Sequence, residues 1–157
     1  MADIFTATGT KISIGPGMAT TPANAAAYAA LSYTEIGLVE SVGEYGDEAS
    51  AVTFAAIGDG RMRKAKGARD AGTLAITVGY SQDDDGQAAL EAAEGLNSNY
   101  AFKIVLQNRL TPGGTDEVHY FKGLVMSKRN NVGGNDNVVR RTFNVAVNSP
   151  LVVVAPT

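Results

Sequence analysis

The chain has 157 residues, 45% of them apolar, with 18 glycines, no cysteine and a formal charge of −3. One domain over 1–157 is expected, since this length can bury roughly 70% of the unfolded surface. The missing thiols exclude disulfides and thiolate metal sites, the acidic balance argues against a dedicated phosphate-binding face, and no apolar run reaches the ~20 residues of a membrane helix.

The opening MADIFTATGTKIS has no basic region followed by an apolar stretch, so a soluble chain without a secretory signal, made in a reducing cytoplasm, is expected. Charge is unevenly spread. Residues 1–60 carry seven acids against Lys11 alone, while residues 61–157 carry nine acids and twelve bases. Such asymmetry suits complementary surfaces on copies of one chain, or reflects a chance scatter of surface charge.

In chain order, Thr10 to Ile14 reads as a short strand closed by a turn at Gly15-Pro16-Gly17. Residues 18–33 are small and alanine-rich; an irregular connection is favoured over a short helix after Asn24. Glu35 to Val42 and Ser50 to Ala55 read as strands. Residues 56–72, AIGDGRMRKAKGARDAG, have four glycines and five bases but no apolar periodicity, so a long loop is expected there. Thr73 to Gly79 is a clear strand, with Leu74, Ile76 and Val78 on one face.

Asp83, Asp84 and Asp85 supply a cap and an acidic first turn for a helix over about 84–94, with Gly95 as its stop and Ala89, Leu90, Ala93 and Leu96 as its apolar stripe. Three strands follow: Tyr100 to Gln107, Val118 to Ser127 and Val138 to Val147, joined by turns at 111–116 and 130–137. Val139, Phe143, Val145 and Val147 share a face. Leu151 to Val154 is either a last strand at home or an arm lying on a neighbour. The economical architecture is mainly β (α+β): a β-sandwich or partly open barrel with one flanking α-helix.

Few residues carry chemistry. His119 is the only histidine, with Glu117 on the same strand face, but no serine elbow, cysteine or second histidine accompanies the pair; a surface or subunit-contact role is expected. With Gly86 at position six of a calcium loop, position twelve falls on Ala92, so the bidentate carboxylate is missing. Gly58-Asp59-Gly60 lies in no GxGxxG and no GxxxxGK[ST]. No catalytic residue, cofactor or metal is expected. Arg61, Arg63, Lys64, Lys66 and Arg69 read as a solvated or partner-binding segment in preference to a nucleic-acid site; in the partner-binding case Glu40, Glu44, Asp47 and Glu48 are the complementary acids on another copy. Arg140 and Arg141 fall on opposite strand faces, so one shares the face of Phe143 and needs a partner or an interface.

The run TLAITVGYSQDDDGQAALEAAE, then Tyr100-Ala101-Phe102-Lys103-Ile104, Val118 through Ser127, and Arg141-Thr142-Phe143-Asn144-Val145 follow one another as strand, Gly-Gln helix and three strands. Over about residues 72–149 this order resembles the tail tube proteins of long, non-contractile-tailed, lambda-like bacteriophages. The resemblance implies a β-sandwich with one helix that forms hexameric rings, stacked into a tube. Such a tube holds the tape-measure protein and conducts double-stranded DNA, without sequence-specific binding. It also implies contacts with a tail terminator and baseplate or tip proteins, assembly in the bacterial host cytoplasm and a place in the virion tail. The family's long early loop would map to 56–72. Two other readings remain open: a β-sandwich binding or adhesion module, against which the absence of Trp counts, and another virion protein of this fold, such as a tail terminator.

Overall fold

A computed structural model describes residues 3–157. The main sheet is antiparallel, in the order β2 (Thr34–Glu35), β1 (Lys11–Met18), β7 (Asn99–Leu106), β8 (Glu117–Asn131), β9 (Arg140–Val147), β6 (Thr73–Gly79), β3 (Val39–Val42). β10 (Val152–Val154) pairs with the first half of β8, in the lane that β9 occupies along the second half. The apolar tail is thus a strand of its own sheet.

The connectivity forces the sheet to curl. β2 and β3 are its two ends, yet only residues 36–38 join them. A flat sheet would part these edges by about 29 Å at ~4.8 Å per strand, and four Cα steps span at most ~14 Å. The sheet therefore wraps round without closing. Tyr45, just past β3, stacks on Phe121 of β8 with ring centroids 6.2 Å apart, although β9 and β6 lie between those strands. The enclosed core holds the face read from the alternating strands: Leu74, Ile76, Val78, Phe102, Ile104, Phe121, Phe143 and Val145.

Helix α2 (Asp85–Glu94) covers the gap left by the unclosed sheet. Asp84 caps it by accepting from the Gln87 N–H at 2.8 Å, and also accepts from the Gly37 N–H at 3.1 Å. A Cβ on Gly86 would lie 2.3 Å from the Glu35 carbonyl oxygen, so only glycine lets β2 cross this turn. Gln87, 2% exposed, donates through Nε2 to the Gly79 and Gly37 carbonyls (2.8 and 3.2 Å) and accepts the Ser81 N–H at 3.1 Å. One amide thus ties the connector between the sheet's edges to the end of β6.

Several local expectations are corrected. Gly15-Pro16-Gly17 is no turn: β1 runs through it with a register shift between Ile14 and Gly17, where proline cannot donate to the ladder. Within 18–33, α1 (Ala25–Ala29) forms, capped by Asn24, and buries Tyr28 stacked on Tyr120 on the sheet's outer face. The strand expected over 35–42 is broken at Leu38, which takes a left-handed φ of 54° as the chain passes from β2 to β3. In α2 the inward stripe is Gly86, Gln87, Leu90 and Ala93; Leu96 lies beyond the helix and is exposed. Val139 shares the parity of Phe143 but is exposed, because it precedes β9.

The largest correction is the long loop. Residues 62–70 form β5 (Met62–Asp70), which pairs along its length with β4 (Glu48–Ala55); only 56–61 remain as a turn. Apolar periodicity is missing because this hairpin has no core to face.

Candidate assembly interface

The β4–β5 hairpin, here called the arm, packs on no other element of the chain beyond marginal contact. An isolated two-stranded hairpin is at best marginally stable in water. Opposite residues in an antiparallel pair share a face, so register gives the arm two sides. Val52, Phe54 and Ala65 lie on one side, with Arg63; Lys64, Lys66, Thr53 and Ala51 lie on the other. Val52, Phe54, Ile57 and Met62 are 53, 65, 109 and 57% exposed. That apolar surface has no use in a single copy.

The five bases expected to bind a partner all lie on the arm or its turn. Arg63 pairs with Asp59 at 3.0 Å and Arg69 reaches Asp47 at 4.0 Å. Arg61, Lys64 and Lys66 have no carboxylate partner among the described residues. Of the proposed acids, Asp47 and Glu48 stand at the arm's own root, Glu44 is exposed just before it, and Glu40 pairs with Arg140. Residues 48–70 hold five bases against three acids, so the body carries a formal −5.

Both strand arginines find partners at home. Arg140 joins Glu40 across β6. Arg141, on the inner face, donates to Glu91 of α2 at 3.1 Å and to Asn130 at 2.8 Å, with its guanidinium 4.0 Å from the Tyr80 ring centroid. Lys128 also reaches Glu91, at 2.6 Å. The Lys128 hydrogen bond and charge, helped by Arg141, hold the Glu91 carboxyl below its ordinary range.

His119 occupies an internal position and not a surface one. Its Nε2 lies 2.8 Å from Glu117 Oε1 and its Nδ1 2.7 Å from the Tyr45 hydroxyl. Asn108 donates to the other Glu117 oxygen at 2.8 Å. A carboxylate only accepts, so Nε2 donates to Glu117, and in the neutral ring Nδ1 accepts from the Tyr45 hydroxyl. Burial, then the Glu117 charge, raise the Tyr45 pKa and keep that donor protonated. The network pins the chain three residues before the arm to the middle of the sheet. Sequence reading placed Glu117 beside His119, but Tyr45, 74 residues away, has no local signal.

Acid should weaken this anchor. The His119 hydrogen bond, then that of Asn108, lower the Glu117 pKa. A depressed carboxylate contributes stability in full above its unfolded value of about 4.3, and the contribution fades as pH falls through the lower folded value. The stability gap between the chain and Glu117→Gln should therefore hold from pH 7 to about 5 and narrow below about 4, so that the chain's melting temperature declines more than the variant's. An equal decline in that variant would remove Glu117 from the account.

No family model and no curated protein matches the chain. Solved structures do. A chain of the sheath/tube terminator of an extracellular contractile injection system (PVC) superposes with a TM-score of 0.69 at 10% identity, covering 98% of this chain and 99% of that one. The anti-feeding prophage baseplate gives 0.68 at 9% identity, over 99% and 98%. The SPP1 tail tube gives 0.64 at 14% identity, over 93% and 76%. The chain shares the fold of these proteins. At such identities the likeness is of fold alone, so what this copy of the fold does rests on its own surface.

The arm is the one hairpin of the described residues that its own body leaves without a packing partner. The enclosed core, the α2 clamp and the His119 network are all internally satisfied.

Proposed function

We propose that the chain is a structural subunit of a bacteriophage tail tube, forming hexameric rings that stack into a hollow cylinder. The lumen would hold the tape-measure protein and conduct double-stranded DNA, and the ends would meet terminator and baseplate proteins. No bond is made or broken in this role. The observation that carries it is the arm: an exposed hairpin with Val52 and Phe54 on one side and the free Lys64 and Lys66, beside Met62, on the other, in a chain that shares the fold of the SPP1 tail tube. A lumen that passes DNA must not hold phosphates tightly, and the body's formal −5 fits that need.

Likeness to a sheath/tube terminator supports a second reading, a subunit that caps a tube with a single ring. Sedimentation across a salt series tests both. Ions at 1 M shorten electrostatic reach to about 3 Å, so assembly driven by a basic arm and an acidic body should shift from large polymers towards small species as salt rises. Species no larger than one ring at every concentration would favour the cap, and polymers indifferent to salt would remove the charge argument.

A further inference from the structure

The arm leaves the body at one end of the sheet, where Val42 ends β3 and Thr73 begins β6. At the other end of those strands, about 20 Å away at ~3.4 Å per residue, lies a rim with exposed apolar groups. Leu38 accepts there from the Gly79 N–H, and Tyr80 donates its own N–H to the Val139 carbonyl. Leu38, Tyr80, Val138 and Val139 are all exposed. Two exposed acids flank them: Asp83, in the turn after Tyr80, and Asp136, at the tip of the β8–β9 hairpin. Neither has an ion-pair partner among the described residues.

Leu38 is the telling residue. It is the one non-glycine with a left-handed φ among the described residues, at 54°, and it is 66% exposed. A leucine there is strained where glycine would be at ease, and its own body gains little burial in return. Strain kept at an exposed position points to a contact outside the chain.

We propose that this rim is the seat for the arm of a second copy. The arm would lie across the rim, with Phe54 and Val52 covering Leu38 and Val138 and the long Lys64 and Lys66 side chains reaching round its β5 edge to Asp83 and Asp136. The inference rests on the self-assembly reading above and adds its direction. Because arm and seat lie at opposite ends, each copy gives at one end and receives at the other, a heterologous contact that repeats without limit along the strand direction. It also accounts for an arm of +2 beside a body of −5.

Pelleting of assembled material tests it with three proteins: the unaltered chain, Leu38→Gly, and Asp83→Lys/Asp136→Lys. Leu38→Gly removes the side chain and relieves the backbone, so its melting temperature should equal or exceed that of the unaltered chain while its assembly falls. The charge-reversed rim should assemble at least about tenfold less, since like charges then face each other. Adding Lys64→Glu/Lys66→Glu in the same chain should restore assembly. If the unaltered chain polymerises and both rim variants match it, the seat is elsewhere. If the unaltered chain does not polymerise at all, the self-assembly reading itself fails.

Discussion

Replacing Glu48–Asp70 by two glycines should leave a subunit that melts within about 2 °C of the full chain and no longer assembles. The graft is feasible because Glu48 and Asp70 are register partners, with Cα atoms ~4.5–5.5 Å apart. The cost in stability is small because the arm's side chains are almost all exposed and the arm makes no more than marginal contact with any other element. Ala71 at the root is buried and stays. Loss of assembly follows if the arm's apolar side is covered by another copy, since a hairpin of roughly 25 Å holds Val52, Phe54, Ile57 and Met62 all exposed. An arm-less chain that fails to fold would make the hairpin part of the body, and one that still assembles would take the interface away from it.

Gln87→Met should lower stability by about 2–4 kcal/mol, the largest effect expected from a single side chain outside the apolar core. Methionine keeps the volume, so packing is not what is lost. What is lost is the donor to two backbone carbonyls, Gly37 and Gly79, and the acceptor for the Ser81 N–H. Each group left unsatisfied costs about 1–3 kcal/mol, offset in part by water at this half-buried end of the sheet. For a domain of this size the melting temperature should fall by roughly 5–12 °C. Gln87→Glu should do no better, because a carboxylate brings only acceptors to two carbonyls. A methionine variant within about 0.5 kcal/mol of the parent would show that the curled sheet is held by α2 packing alone.

Much of the body was legible. Thr73–Gly79 announces itself because Leu74, Ile76 and Val78 alternate against a core, and α2 because an aspartate cap precedes helix formers and Gly95 ends them. The later strands follow the same rule. The arm hid from that rule for a physical reason: apolar alternation marks burial against one's own chain, and β5 buries nothing at home. Its glycines and bases look like a loop, and nothing in their spacing signals the pairing with β4. Leu38 and the Tyr45–His119–Glu117 network were illegible for another reason. They exist only because the sheet curls, bringing together residues far apart in sequence with no local pattern between them.

Electron microscopy of the purified full-length chain tests the central claim most directly. Uniform rings and stacked cylinders with an open central hole are expected at low salt, in the absence of any other protein. Dispersed particles the size of one 16.2 kDa chain, at every concentration and salt, would contradict it.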